Sequence, residues 1–476
     1  MPNAYPATLL DAPAPAPERL LEALASADLT YSVAAIDRAE HARDWWPPLI
    51  ADVARGHVER WPGVVVRAHS TEDVVATLKI ASAHGVPVCP QGGRSGVGGG
   101  AVPQTGAIAL DLTGLSAVVD VDETSSTVRM EAGVFGPDLE AATRARGFTV
   151  GHFPQSFDLA TVGGWIACRG AGQYSNRYGK IEDLVRGLTV VTAAGEVLHL
   201  GGHGPRQAVG PDLVALFVGS EGTLGVITEA TLVMRALPTS EQRAAFAFTT
   251  FEEGMTACRS IVQRDARPAV LRLYDEVESK RNFDVDGCAL IVLDEGEEPF
   301  VEATMLTVRA ACAAAAPLGD ALVEHWLDRR NDVSALAPLW ERGVVVDTIE
   351  VAGPWTILTD LRRRVTAALL AVEGMLVASV HQSHAYVDGA CLYFTFAGQP
   401  PNDTATFYRD AWDGAIDEVI ALGAAISHHH GVGRNRARFA RAALGDAFGL
   451  VVALKAHLDP ENIMNPGVLG LGDTSW

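Results

Sequence analysis

Positive charge is scarce in this sequence: 37 lysines and arginines stand against 58 aspartates and glutamates over 476 residues, a formal net charge of −21 at pH 7. A nucleic-acid backbone meets repulsion from such a chain, so nucleic acid is excluded as a partner, whereas a few inward-pointing arginines suffice to hold a small anion. Cysteine is sparse and unpatterned. Cys89, Cys168, Cys258, Cys288, Cys312 and Cys391 contain no C-x-x-C spacing, which argues against a zinc knuckle and a disulfide framework and fits a reducing compartment. Nowhere do about 18 apolar residues run uninterrupted. The start, MPNAYPATLLDAPAPAPERL, has no basic or apolar leader region, and the chain does not close on Ser-Lys-Leu. A cytoplasmic protein is the expectation, with a peripheral membrane contact and a homodimer left open. No repeat of fixed period is present, which excludes solenoids and propellers.

What is there is an ordinary globular composition, 48% hydrophobic and 20% charged, in a chain too long for one core. Residues 1–62 contain an Ala-Pro leader, the dipeptide Trp45-Trp46 and no clear motif, and read as an amino-terminal helical extension. From residue 63 to 238 short strands alternate with helices. VVVR at Val64 leads to Ser70-Thr-Glu-Asp73, which resembles a capping box for a helix stopping at Gly85. Strands follow at VPVCP, IALDL, TVRMEA, LTVVTA and EVLHL, with a helix between Gly136-Pro137 and Gly147. From 239 to 440 alanine-rich helical stretches (Phe300–Ala315, Thr356–Val372, Ala405–Leu422) alternate with AVLRLYD, CALIVLD and ACLYFTF, an α+β pattern for a cap domain. Residues 441–476 carry a last helix, from Gly445 to Leu458, and a turn-rich DPENIMNPG tail that returns to the first domain.

Three glycine clusters carry the chemistry. Pro90-Gln-Gly-Gly-Arg-Ser-Gly-Val-Gly-Gly-Gly100 follows a strand, and its successive N–H groups can converge on a phosphate or pyrophosphate. It leads into another strand and carries no Gly-Lys-Ser/Thr, so it is neither a nicotinamide fingerprint nor a P-loop. The second cluster lies in GHFPQSFDLATVGGWIACRGAG, where Thr161-Val-Gly-Gly-Trp165 lets backbone approach a flat ligand and Ser156 and Thr161 offer hydroxyls. The third is Gly219-Ser-Glu-Gly-Thr-Leu-Gly-Val-Ile227.

In this order and spacing the three clusters resemble the flavin domain of the vanillyl-alcohol oxidase superfamily, and LDPENIMNPG resembles its carboxy-terminal signature. The resemblance implies an α+β protein with a two-subdomain FAD-binding domain and an α+β cap, and FAD held non-covalently. It implies cofactor contacts from Gln91, Gly92, Gly93, Arg94, Ser95, Gly96 and Val97, from His152, Pro154, Ser156, Thr161, Gly163, Gly164, Ala167 and Arg169, and from Glu221, Gly222, Gly225 and Ile227. Because some members tether FAD to histidine, His152 is the one candidate for a covalent link. The 2-hydroxy-acid dehydrogenase branch carries His-x-Gly-Asp-Gly-Asn-x-His; this chain keeps only the first histidine, in His384-Ala-Tyr-Val-Asp-Gly-Ala-Cys-Leu-Tyr-Phe394. GAC-aliphatic-YF and SHHHGVG are instead similar to the alkyldihydroxyacetonephosphate synthase branch.

That branch implies exchange of the acyl chain of acyl-dihydroxyacetone phosphate for a fatty alcohol through an adduct at flavin N5, without net redox change. Tyr393 matches its catalytic tyrosine, and strand alternation places Tyr393 on one face with Cys391 and Thr395. Cationic imidazoles nearby are expected to lower the Tyr393 phenol from its usual pKa of about 10. Arg272, in an apolar strand, matches an arginine supporting the active site and needs a polar partner there; Arg330 is the candidate for the substrate phosphate. In an extended His428–His430 run, His428 and His430 share one side and His429 points to the other. Proton exchange and oxyanion binding are expected of this cluster, and no metal, since no further cysteine or carboxylate ligand stands out. The alternatives are an FAD-dependent oxidase or dehydrogenase of a 2-hydroxy acid or other alcohol, and a cofactor-free binding protein.

Overall fold

The computed structural model describes residues 12–54, 56–202, 204–332, 339–340, 342–400 and 403–472. Residues 1–11 and 473–476, read above for targeting signals, lie outside the described residues. Among those described, no helix is long and apolar enough to cross a membrane.

Valine-rich VVVR forms a strand, Val64–Arg67, buried on both sides. It pairs in parallel with Ile108–Asp111, which pairs in parallel with Val88–Gln91. Parallel neighbours need a crossover, and the helix Thr71–His84 supplies one: Ser70 Oγ accepts from Asp73 N at 3.1 Å, and Gly85 ends it at φ +61°. The amino-terminal extension is not only helical, because Thr30–Ser32 adds an antiparallel fourth strand beside Val64–Arg67. Its backbone donors and acceptors find partners on an edge that the helices leave open. The tail docks on the opposite edge, where Val88 N donates to Ile463 O at 2.7 Å and Asn465 N to Val88 O at 2.8 Å.

A five-stranded antiparallel sheet follows, in the order Val118–Asp122, Thr127–Glu131, Val226–Val233, Val185–Val191, Val197–Gly201. The third sheet is antiparallel and seven-stranded: Ala316–Leu318, Ser240–Phe248, Cys288–Gly296, Val270–Tyr274, Met375–Ala385, Gly389–Gly398, Val345–Pro354. Helices Phe251–Gln263, Glu298–Ala311, Leu358–Leu370 and Thr404–Ala421 cover one face, packing on Leu271, Leu273, Leu392, Phe394 and Phe396. Because strand side chains alternate, Arg272, Tyr393 and Thr395 project from the other face, and this sets the site. The alanine-rich stretch read as helix to Ala315 stops at Ala311; Ala316–Leu318 pairs with Ser240–Phe248 instead. Pro317 disfavours helical backbone at the residue before it, and an open sheet edge takes the segment.

Candidate active site

The uncovered face of the seven-stranded sheet and the three glycine clusters enclose a cavity of about 1500 Å³. All of Gln91–Val97, Pro154, Ser156, Thr161, Gly163, Gly164, Ala167, Glu221, Gly222, Gly225 and Ile227 line it, together with Arg272, Arg330, Tyr393, His429 and His430. Three of the residues expected at the site do not. Arg169 is exposed and pairs with Glu182 at 3.3 Å, and His428 faces a separate cleft. His152 lies behind the wall with its ring 4.7 Å from Trp165, and burial alone brings its pKa down to about 3.

The glycine loops hold each other as much as they shape the cavity. A Cβ on Gly92 would lie 2.2 Å from Thr161 Oγ1, and one on Gly93 1.8 Å from Leu159 O, so the first loop seats against the second cluster only because both residues lack a side chain. Glu221, at φ +47°, is half-buried, and the loss of water around its carboxyl raises it to about 7 against the donation it accepts from Val432 N at 2.6 Å and Gly433 N at 2.7 Å. It fastens the third cluster to the turn after the histidines.

The donors suit a dinucleotide. Among the described residues, no backbone carbonyl accepts from the N–H groups of Gly92, Gly93, Ser95, Gly96 or Val97, which leaves a row of donors on the cavity wall for pyrophosphate oxygens. Trp165 Nε1, Ser220 Oγ and Gln173 Oε1, all in wall residues, are buried without partners, as groups awaiting a polar ligand are.

At the sheet end, Tyr393 donates to Thr348 Oγ1 at 3.1 Å and stacks on His381, ring centroids 4.7 Å apart. Thr395 shares its exposure to the cavity, but Cys391 is fully buried and forms no part of the wall. His381 Nε2 lies 2.7 Å from Arg272 Nη2 and its Nδ1 2.8 Å from Glu278 Oε2. A guanidinium only donates, so Nε2 accepts and the proton sits on Nδ1, directed at Glu278. Arg272 thus has the polar partner expected of it, and its Nε remains buried without one.

The histidine run is not an extended strand. Successive N–H groups of His428, His429 and His430 all turn toward Glu350 Oε1, at 3.2, 3.3 and 2.9 Å. Such a nest curls the backbone around an anion and abolishes alternation. His429 and His430 therefore face the cavity together and His428 faces away, in place of the expected pairing of His428 with His430. Glu350 is fully buried; burial would raise its pKa, but Arg436, bonded to both oxygens, and His430 Nδ1 at 3.1 Å hold it well below the usual range.

The imidazoles do not lower the tyrosine. Burial pushes the Tyr393 phenol up, and burial likewise brings His428 down to about 4 and His429 and His384 well below the ordinary value. Neutral rings cannot stabilise a phenolate as cations do, so Tyr393 is a proton donor at neutral pH. His384 also supplies a neighbour the sequence did not reveal: one ring nitrogen each from His384, His428 and His429 falls within 4.8 Å of the others. Glu350 and Asp347 were legible by the logic that singled out Arg272, as carboxylates inside the apolar strand VVDTIEVAGP. Nothing in the sequence pointed to the amino-terminal residues Arg43, Trp45 and Pro47, which complete the wall.

Residues 62–201 match the model of the FAD binding domain, and residues 237–469 that of the FAD linked oxidases' C-terminal domain. An uncharacterised FAD-linked oxidoreductase of Escherichia coli strain K12 is 30% identical over 86% of this chain and 89% of its own. Alkyldihydroxyacetonephosphate synthase of Dictyostelium discoideum is 30% identical over 86% of this chain and 74% of its own. A solved alkyldihydroxyacetonephosphate synthase superposes with a TM-score of 0.80 at 26% identity, covering 96% of this chain and 87% of the other. The chain belongs to the FAD-linked oxidases, with FAD as its cofactor.

Proposed function

We propose that the enzyme exchanges the acyl chain of acyl-dihydroxyacetone phosphate for a fatty alcohol, a step of ether-lipid synthesis. The observation that carries this reading is the convergence of a protonated Tyr393, a neutral His429 and Arg272 on the cavity that the row of backbone donors also lines. When bound, FAD supplies an electron sink for the substrate carbon and ends the turnover oxidised. His429 offers a lone pair to take the alcohol's proton, and Tyr393, keeping its own proton, donates a hydrogen bond to the departing carboxylate. Arg330, stacked on Tyr174 at 4.8 Å, has a buried Nη1 without a partner and binds the phosphate.

Anaerobic holoenzyme given palmitoyl-dihydroxyacetone phosphate and a fatty alcohol should form the ether product while the flavin spectrum returns to its oxidised form. In Tyr393→Phe the rate should fall by about 10²–10⁴-fold with flavin content unchanged. The name of the E. coli relative supports a second reading, an FAD-linked oxidoreductase, for which the substrate to test is a 2-hydroxy acid or other alcohol. Flavin bleaching in proportion to such a substrate, with no ether product, would select it.

A further inference from the structure

Behind the catalytic wall lies a cleft of about 380 Å³ lined by residues including Arg169, Lys180, Glu182, Tyr386 and His428. Tyr386 and His428 are partly exposed and Arg169 is exposed, so water reaches it. Tyr386 Oη lies 2.6 Å from His428 Nε2, and His428 Nδ1 lies 2.8 Å from His429 Nδ1. His429 is on the wall of the main cavity and His428 is not. Three groups joined by short hydrogen bonds therefore cross from one cavity to the other. Glu350 holds the crossing in place, since the backbone N–H groups of both histidines point at its carboxylate.

We propose that Tyr386, His428 and His429 form a proton wire that discharges the catalytic cavity into this second cleft. The proposal rests on the exchange reaction, which releases a proton for a wire to carry. An ester and an alcohol become an ether and a fatty acid, and at neutral pH the acid leaves as carboxylate, so each turnover releases one proton, that of the alcohol hydroxyl. His429 takes it on Nε2 and passes its Nδ1 proton to His428 Nδ1. His428 passes its Nε2 proton to the Tyr386 oxygen, and Tyr386 gives its hydroxyl proton to water in the cleft. Each group loses one proton as it gains one, and no net charge remains inside.

In Tyr386→Phe holoenzyme, exchange at low buffer concentration should slow on the order of a hundredfold with KM for the acyl substrate unchanged. Raising the concentration of imidazole, small enough to enter the cleft, should restore it, while the wild-type rate stays indifferent to imidazole. A Tyr386→Phe rate equal to wild type, or a loss that imidazole does not repair, would overturn the wire. If the wild-type protein makes no ether product, the reaction assignment fails separately, and the wire is then judged by NMR of histidine-labelled (¹⁵N) holoenzyme. A through-hydrogen-bond coupling between two imidazole nitrogens, lost in His428→Gln, is expected. Its absence, or a stoichiometric transition metal lost in His384→Ala and so occupying the same lone pairs, overturns the proposal.

Discussion

His152 is a residue whose chemistry follows from burial alone. Both of its ring nitrogens are buried without partners, and its pKa of about 3 lies far below the usual 6.5. The native protein refuses a proton that the unfolded chain accepts, so its contribution is present above pH 6.5 and is lost as pH falls from 6.5 toward 3. At pH 5 the loss amounts to about 2 kcal/mol. Urea denaturation of wild type and His152→Phe should diverge in that direction, the wild type weakening more between pH 8 and pH 5. Parallel pH dependences would show that the ring is not held neutral. The same burial sets the protonation of Tyr393, His428, His429 and His384, so these groups are neutral acids and bases, beside the ion pairs that Glu350 makes with Arg436 and Glu278 with Arg281.

At the scale of elements, the strand Val345–Pro354 and the loop Ser427–Arg436 act as one unit through Glu350. Removing one member of a buried ion pair leaves the other charge uncompensated, which costs about 3–5 kcal/mol. Glu350→Gln should lower stability by that amount, read from the denaturant midpoint, and should release the histidine run. Glu350→Gln combined with Arg436→Met should recover part of the stability but not the exchange activity, because the nest still lacks its anion. If the double variant is no more stable than Glu350→Gln, the cost is not that of a stranded guanidinium. Most of these elements were legible in the sequence: the capped helix from Thr71, the apolar strands, the glycine loops and the returning tail all follow local rules. The direction of each histidine was not, because it depends on a carboxylate about 80 residues away in the chain. The edge strand Thr30–Ser32 was missed for a similar reason, since its pairing partner, not its own three residues, determines it.

On the scale of the whole molecule, the cavity is a seam. One wall comes from the glycine loops of residues 91–101 and 219–227, the other from strands of the seven-stranded sheet, and Arg43, Trp45 and Pro47 close it from the amino-terminal segment. Direct ties across the seam include Trp46 Nε1 to Tyr408 Oη at 2.9 Å and Arg434 Nε to Val102 O at 2.9 Å. FAD held by residues of both walls would bind the assembled protein and not the separated parts. Mass action then requires that stability grow with free FAD, by about 2.7 kcal/mol at a hundred times Kd. With His152 behind the wall, a flavin that is free to leave is the expectation. Acid precipitation should release all of it into the supernatant, and the denaturant midpoint of the stripped protein should climb with added FAD along the logarithmic law. Flavin that stays with the precipitate would mean a covalent link; a midpoint indifferent to FAD would mean that the cofactor touches one wall only.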